Sequence, residues 1–392
     1  MNSVMFVLVR VLAPVTAILF TCSAVAALQQ QRAEPSADLQ NFVNETRLTQ
    51  RLPALAVVIV RSDGQPQVYV SGERRIGKGD LITPADRMHL GSLTKAITAT
   101  VIGALAERHR MTPETTIGQV FPELSAKMRP AYRDVSARQL LAQAGGVPTY
   151  RTRESLLWTL TLKGTATEQR YAFLERVLAE PSRFEPGTRH EYSNAGAAIA
   201  GAMVERIGGS PYQQLVQDLV FAPLGGVAAF GNPGLAATPQ PWGHTQTKFG
   251  TVTEVTPAFA VFTTPLAIEP AGDASPSLQD YGRFLQLHLR GLRGRDDVLK
   301  AATIQDLHRK VAPINPLLGF GMGWVVMMRD GVASHEHGGS YGAYVAHATI
   351  QPSRDLAVGV FTNVGGGQDL KDAVAKLAMQ VAARLSNPPA GR

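Results

Sequence analysis

Gly91-Ser92-Leu93-Thr94-Lys95, followed by the apolar run Ala96 to Leu105, sets a hydroxyl and an amine three residues apart at the head of a helix. From Thr94 onward Ile97, Val101, Ile102 and Leu105 recur at helical spacing until Glu107-Arg108-His109-Arg110, so this helix is read as largely buried. Positions i and i+3 share a helix face. Ser92 stands where unpaired backbone N–H groups and the helix dipole favour negative charge, as on an alkoxide or an oxyanion. Lys95 can take a proton from it only as a neutral amine. A free lysine titrates near about 10.4, and burial with neighbouring positive potential lowers that by up to about 3 to 5 units. Taken alone, Ser-x-x-Lys describes an N-cap serine and a solvated lysine better than a reactive pair.

Two further elements change that weighting. Tyr192-Ser193-Asn194 follows Phe184-Glu185-Pro186-Gly187 and opens another helical run. A phenol near an ammonium group loses its proton more easily, so Tyr192 suits a proton relay, while Asn194 can both donate to a substrate amide and contact Lys95. The third element, His337-Gly338-Gly339-Ser340, is expected between strands. There Gly339 and its neighbour would let a substrate backbone lie against an edge strand, and the Ser340 N–H would face the Ser92 N–H as an oxyanion hole. His335-Glu336-His337 has a zinc-like look, but no further His/Asp cluster at ligand spacing joins it, so the reading calls for no metal and no other cofactor.

Together the three boxes resemble the serine β-lactamase and penicillin-binding protein superfamily, most closely its class C, esterase and D-aminopeptidase branch. That branch shows Ser-x-x-Lys, then Tyr-x-Asn, then Lys-Thr-Gly or His-x-Gly near the C-terminus. Leu140-Leu141-Ala142-Gln143-Ala144-Gly145-Gly146-Val147-Pro148 is similar to its Leu-Leu-x-His-x-Ser-Gly-Leu-Pro segment, and Gly321-Met322-Gly323-Trp324 to its Gly-x-Gly-Trp strand. The resemblance implies an α+β fold with a helical subdomain, a site in the cleft between them, and hydrolysis through an acyl-enzyme. By it Ser92, Lys95 and Tyr192 are catalytic, and Asn194, His337, Gly339 and Ser340 bind substrate. Gln143, Ala144 and Gly145 depart from His-x-Ser. His337 stands where β-lactamases usually carry a lysine that helps bind the antibiotic's carboxylate; Arg153 or another basic residue could supply the missing charge.

The rest of the chain fits an α+β fold: an antiparallel sheet flanked by N- and C-terminal helices, with an inserted, mostly helical subdomain. A helix ends near Arg51, and strands follow at Leu55 to Val60 and Gln67 to Val70 around the Ser62-Asp63-Gly64 turn. Helical signals dominate Ser136 to Leu224, the stretch Phe230 to Pro276 reads as long loops with a few short strands, and a helix covers Ser277 to Leu292. Three strands are expected at Met322 to Met328, Tyr344 to Ile350 and Leu356 to Thr362, then a helix over Leu370 to Leu385. The hydrolase domain is placed at 36–388, with the helical subdomain at roughly 110–300.

Residues 1–26 read as a secretory signal cut before Ala27: Arg10, an apolar stretch from Val11 to Phe20, then Ala24-Val25-Ala26. An uncleaved anchor over Val11 to Gln30, or a lipid on Cys22, are the alternatives, and only they would bring a membrane into play. The expected location is periplasmic or secreted. Cys22 is the single cysteine, so no intrachain disulfide can form and stability falls to the core. Of 38 Lys and Arg only Arg10 lies in the leader, which has no acid, so the mature charge is 37 − 31 = +6, scattered rather than clustered, and nucleic acid is not an expected partner. The expected partner is a small ester, amide or peptide. The function expected is a serine hydrolase acting on esters or amides, D-amino-acid peptides and β-lactams included. A class C-like β-lactamase or DD-carboxypeptidase is the near alternative. A non-catalytic peptidoglycan-binding or regulatory protein of the same fold is the distant one.

Overall fold

The computed structural model describes residues 36–386 apart from 248, 249, 258–263, 316 and 330; the expected leader and Cys22 lie outside the described residues. Helix α1 (Ala37–Thr49) leads into strands β1 (Ala54–Val60) and β2 (Gln67–Gly72). Helices α2 (Thr94–Glu107), α3 (Ala166–Ala179) and α4 (Asn194–Gly208) follow, then the short strands β3 (His244–Gln246) and β4 (Val252–Glu254), the short helix α5 (Glu269–Gly272) and helix α6 (Leu278–Leu292). The chain returns through β5 (Ala312–Asn315), β6 (Leu318–Phe320), β7 (Val325–Arg329), β8 (Val332–Tyr341), β9 (Tyr344–Gln351), β10 (Leu356–Thr362) and β11 (Val364–Gly365) to helix α7 (Gln368–Ser386).

Eight strands form one antiparallel sheet in the order β2-β1-β10-β9-β8-β7-β6-β5, and β11-β3-β4 form a small second sheet. The fold is α+β, as expected. Strand β1, Ala-Leu-Ala-Val-Val-Ile-Val, is buried throughout because both faces are covered. Its residues sort by parity: Leu55, Val57 and Ile59 join Val358 and Val360 under α1 and α7, while Ala56, Val58 and Val60 join the larger core formed with α2, α4 and α6. Burying such a Val or Ile side chain is worth about 1.5–3 kcal/mol, so the alternation locks the register. Helix α6 braces the β1–β2 turn, with Gln286 donating to Arg61 O at 2.8 Å and Gly64 O at 3.0 Å.

Two local expectations are corrected. His337-Gly338-Gly339-Ser340 lies inside β8 rather than between strands. The pattern hid this strand because its buried polar residues are satisfied in pairs: Ser334 donates to Glu336 at 2.7 Å, and His335 bonds His308 at 3.0 Å. Gly321 to Trp324 is not strand. Gly323 has φ of +75° and a Cβ there would lie 2.6 Å from the Ala96 nitrogen, so this turn packs on α2 and β7 begins only at Val325.

Candidate active site

Ser92 lies in a single 3-10 turn, Gly91–Leu93, that runs directly into α2. Lys95, one turn on, is fully buried. Its Nζ donates to Ala271 O at 2.6 Å, to Asn194 Oδ1 at 3.0 Å, and stands 3.2 Å from Ser92 Oγ. The Ser92 hydroxyl is also hydrogen-bonded to the Tyr192 hydroxyl. The ammonium lies 4.8 Å from the Tyr192 ring centroid, and the Arg151 guanidinium carbon 5.0 Å from the same ring. Burial pushes the Lys95 amine below its ordinary value; Tyr192 opposes that shift and the charge of Arg151 adds to it.

The Tyr192 box is clamped by the segment before it. Glu191 N–H donates to Gln143 O at 2.9 Å, Ser193 N–H to Gln143 Oε1 at 2.6 Å, and Asn194 N–H to Thr149 O at 2.9 Å. Ser193 caps α4 through Gly196 N–H at 3.1 Å, which fixes where Asn194 begins that helix. Asn194 Nδ2 donates to Tyr150 O at 3.1 Å, so its oxygen must face Lys95. Gln143, the sequence's departure from a histidine, thus organises this wall of the cleft.

The opposite wall is the end of β8. Beyond Glu336 the strand pairs only with β9 among the described residues, so 337–340 have no second strand partner on the side of Ser92. The role expected for the glycines divides. Gly338 is open, whereas a Cβ on Gly339 would lie 1.9 Å from Leu90 O and 3.2 Å from the Ser92 nitrogen, so Gly339 makes room for the turn that bears Ser92. That contact also brings the Ser92 and Ser340 backbones together. His337 is buried, its Nδ1 without a hydrogen-bond partner among the described residues. Burial, with the Lys95 charge and His347 adding to it, pushes its imidazole down to about 3, so it is neutral at pH 7. His335 turns away to His308, and Glu336 to Ser334 and His347 (3.5 Å), so the three residues do not converge on one point.

These groups line a cleft of about 670 Å³ that also takes in Phe320 and, from α7, Lys371 and Asp372. The catalytic and substrate-binding residues read from the sequence meet here: Ser92, Tyr192, Asn194, His337, Gly339 and Ser340 in the lining, Lys95 beneath it. Arg151 also lines the cleft, a basic residue other than the Arg153 named from the sequence. It is separated from Arg153 by the N-cap Thr152. The segment behind Lys95 was missed as well. Buried Arg170 bonds Glu205 at 2.9 Å and reaches Glu269 at 3.3 Å, and so ties α3 and α4 to α5, which carries Ala271. Burial in that knot raises the Glu269 carboxyl to about 7 against the pull of Arg170.

The arrangement can move a proton. Ala271 O and Asn194 Oδ1 accept only, so in the neutral amine both N–H bonds of Lys95 go to them and its lone pair faces the Ser92 hydroxyl.

The Beta-lactamase family profile matches residues 25–383. Penicillin-binding protein 4 of Amycolatopsis lactamdurans is 25% identical over 80% of this chain and 80% of its own length. The chain spans less of other curated relatives, 34% of Protein flp of Staphylococcus aureus (strain MW2) and 65% of the Beta-lactamase of Escherichia coli (strain K12). In structure, the octameric penicillin-binding protein homologue from Pyrococcus abyssi superposes with a TM-score of 0.73 at 21% identity, over 88% of this chain and 77% of that one. A D-stereospecific amidohydrolase from Streptomyces sp. gives 0.65 at 20%, over 86% and 97%. At these identities the structural likeness speaks for the fold.

Proposed function

The chain belongs to the beta-lactamase family, and from that premise we propose that it is a serine hydrolase in which Ser92 Oγ attacks an ester or amide carbonyl. One observation carries this: Ser92 Oγ, Lys95 Nζ and Tyr192 OH converge on one point at the floor of the cleft. Neutral Lys95 takes the Ser92 proton as the carbon–oxygen bond forms, and Tyr192 delivers a proton to the leaving oxygen or nitrogen as its bond to the acyl carbon breaks. Backbone N–H groups of Ser92 and Ser340 stabilise the oxyanion, and water then hydrolyses the acyl-enzyme. Positioned acid–base groups typically contribute about 10²- to 10⁴-fold, and one oxyanion donor about 10²- to 10³-fold.

The substrate reading is an ester or peptide of a small acyl or D-amino-acid compound rather than an antibiotic turned over efficiently. Neutral, buried His337 supports it, because it cannot supply the charge that a lysine there would offer to a carboxylate. Arg151, its guanidinium carbon 5.0 Å from the Tyr192 ring centroid, is the cation assigned to receive an anionic group. Export to the periplasm or outside the cell, with residues 1–26 removed, is part of the same proposal; the mass of the mature N-terminus tests it.

The test is a fluorophosphonate, with benzylpenicillin as second probe since a relative bears a penicillin-binding name. Wild type should gain one covalent adduct and Ser92→Ala none. An adduct that persists in Ser92→Ala sinks the assignment. Turnover of a chromogenic cephalosporin, p-nitrophenyl esters and a D-alanyl peptide compared side by side decides the substrate class, and rapid cephalosporin turnover overturns the tilt toward esters.

A further inference from the structure

The seating of Ser92 depends on the residue before it. Gly91 has φ of +53°, and a Cβ on it would lie 2.5 Å from the Ser340 nitrogen, so a side chain has no place there. Both peptide groups of Gly91 are pinned by side chains. Its C=O accepts from Thr94 Oγ1 at 2.7 Å, and that oxygen in turn accepts from Ala274 N–H at 3.0 Å. Its N–H donates to His89 Nδ1 at 3.1 Å. His89 and Asp273 are 2% and 3% exposed, with His89 Nε2 3.4 Å from Asp273 Oδ1. The other Asp273 oxygen accepts from Gly231 N–H at 3.0 Å, and the His89 ring stacks on Tyr341 at 5.3 Å.

Proton counting fixes the state of His89. The Gly91 N–H can only donate, so Nδ1 must offer its lone pair, and in a neutral imidazole the proton then sits on Nε2, facing Asp273. From this juxtaposition we infer that His89 and Asp273 are a positioning pair: the carboxylate keeps the proton on Nε2 so that Nδ1 can hold the Gly91 N–H, and with it the turn that presents Ser92. Neither residue touches the reacting atoms; both act through Gly91. The inference rests on the reading of Ser92 as nucleophile.

Asp273→Asn tests it with little change of shape. The amide oxygen can keep Gly231, which leaves the NH₂ facing Nε2. Nε2 becomes an acceptor, the proton moves to Nδ1, and there it meets the Gly91 N–H head on. The rate of Ser92 phosphonylation by a fluorophosphonate, and kcat for a p-nitrophenyl ester, should fall about 10- to 100-fold, the usual cost of losing such an orienting partner. KM should stay within about twofold, as for a loss confined to the chemical step. His89→Asn places an amide oxygen where it can accept the Gly91 N–H in an Asx turn and has no tautomer to lose, so its rate should lie between wild type and Asp273→Asn. Adding Asp273→Asn to His89→Asn should then cost nothing further. ¹⁵N NMR of His89 should show Nε2 protonated in wild type and Nδ1 protonated in Asp273→Asn. An unchanged rate in Asp273→Asn, or an equal further loss in the double variant, overturns the pair. A wild type that gains no label at Ser92 sinks the hydrolase reading instead, and the NMR tautomers still decide whether the pair exists.

Discussion

Lys95 Nζ donates to the Ala271 carbonyl oxygen at 2.6 Å, and that contact aims the amine's remaining valence at Ser92. A base works deprotonated, and burial holds the Lys95 amine below its ordinary value of 10.5. Hydrolysis should therefore be present above the lowered value and lost as pH falls through it, so kcat/KM plotted against pH should carry an acid limb below the usual lysine range. Lys95→Arg, which stays protonated, should lower kcat/KM at least about 100-fold at pH 7. A limb left in place by that substitution would assign the base to another group.

Arg151 acts on the same amine and on the substrate. Its charge adds to the lowering of Lys95, so Arg151→Gln should move the acid limb to higher pH. Among paired esters differing only by a carboxylate, the variant should raise KM for the anionic member by about three- to tenfold and leave the neutral one alone. Arg151 is exposed, so the difference should shrink at high salt. Steady-state kinetics at two ionic strengths checks both parts.

Arg170, Glu205 and Glu269 form a buried knot behind Lys95, with Arg170 and Glu269 at 3.3 Å and both nearly free of solvent exposure. Arg170→Met would strand two carboxylates in the interior, and removal of one partner from such a knot costs about 3–5 kcal/mol. Chemical denaturation should register that loss. Because α5 carries both Glu269 and Ala271, the surviving folded protein should also acylate more slowly than its folded fraction accounts for. Arg170→Lys should recover less than half of the stability, since one ammonium cannot span the two carboxylates.

What was legible in the sequence follows from periodicity and from residue type. Strand β1 and helices α2, α6 and α7 announce themselves through apolar spacing, because burial on a sheet or helix face demands it. Strand β8 did not, since Ser334, His335 and Glu336 are buried polar residues satisfied by other side chains, His335 by His308 and Ser334 by Glu336 and Thr349, and apolar pattern alone cannot see such pairs. In the site, Ser92, Lys95, Tyr192 and Asn194 were visible as chemistry-bearing types in order. Gln143, Arg151 and Ala271 were not, because their work is done by a backbone oxygen, a carboxamide or a position on the rim, none of which has a signature of its own. Asp273 and His89, 184 residues apart, become a pair only in the fold.

Beneath α2 a file of neutral histidines sets the acid stability. Thr100 Oγ1 donates to Ala96 O at 2.8 Å, so at 3.0 Å it must accept from His288 Nε2–H. His288 Nδ1 then accepts from His308 Nε2–H at 2.9 Å, and His308 Nδ1 accepts from His335 Nδ1–H at 3.0 Å. Every ring in this file is neutral, and protonating His288 or His308 on its acceptor Nδ1 breaks a link. Burial, before any effect of neighbouring charges, pushes His288 down to about 3, His335 to about 4 and His308 well below the ordinary 6.5. In the unfolded chain all three titrate near that ordinary value. Between about pH 6.5 and 3 the unfolded chain thus binds more protons than the folded one, so the stabilisation is whole above 6.5 and drains away as pH falls through that window. The file's contribution to the melting temperature should be constant from pH 8 to 7 and fall steeply below 6. His308→Phe keeps a ring stacked on Trp324 but cuts two links, so it should melt lower at pH 7.5. It also removes one of the depressed groups, so its deficit against wild type should narrow toward pH 4.5. A deficit that stays constant with pH would show that the file contributes packing alone. Scanning calorimetry of the two proteins across that range decides between these outcomes.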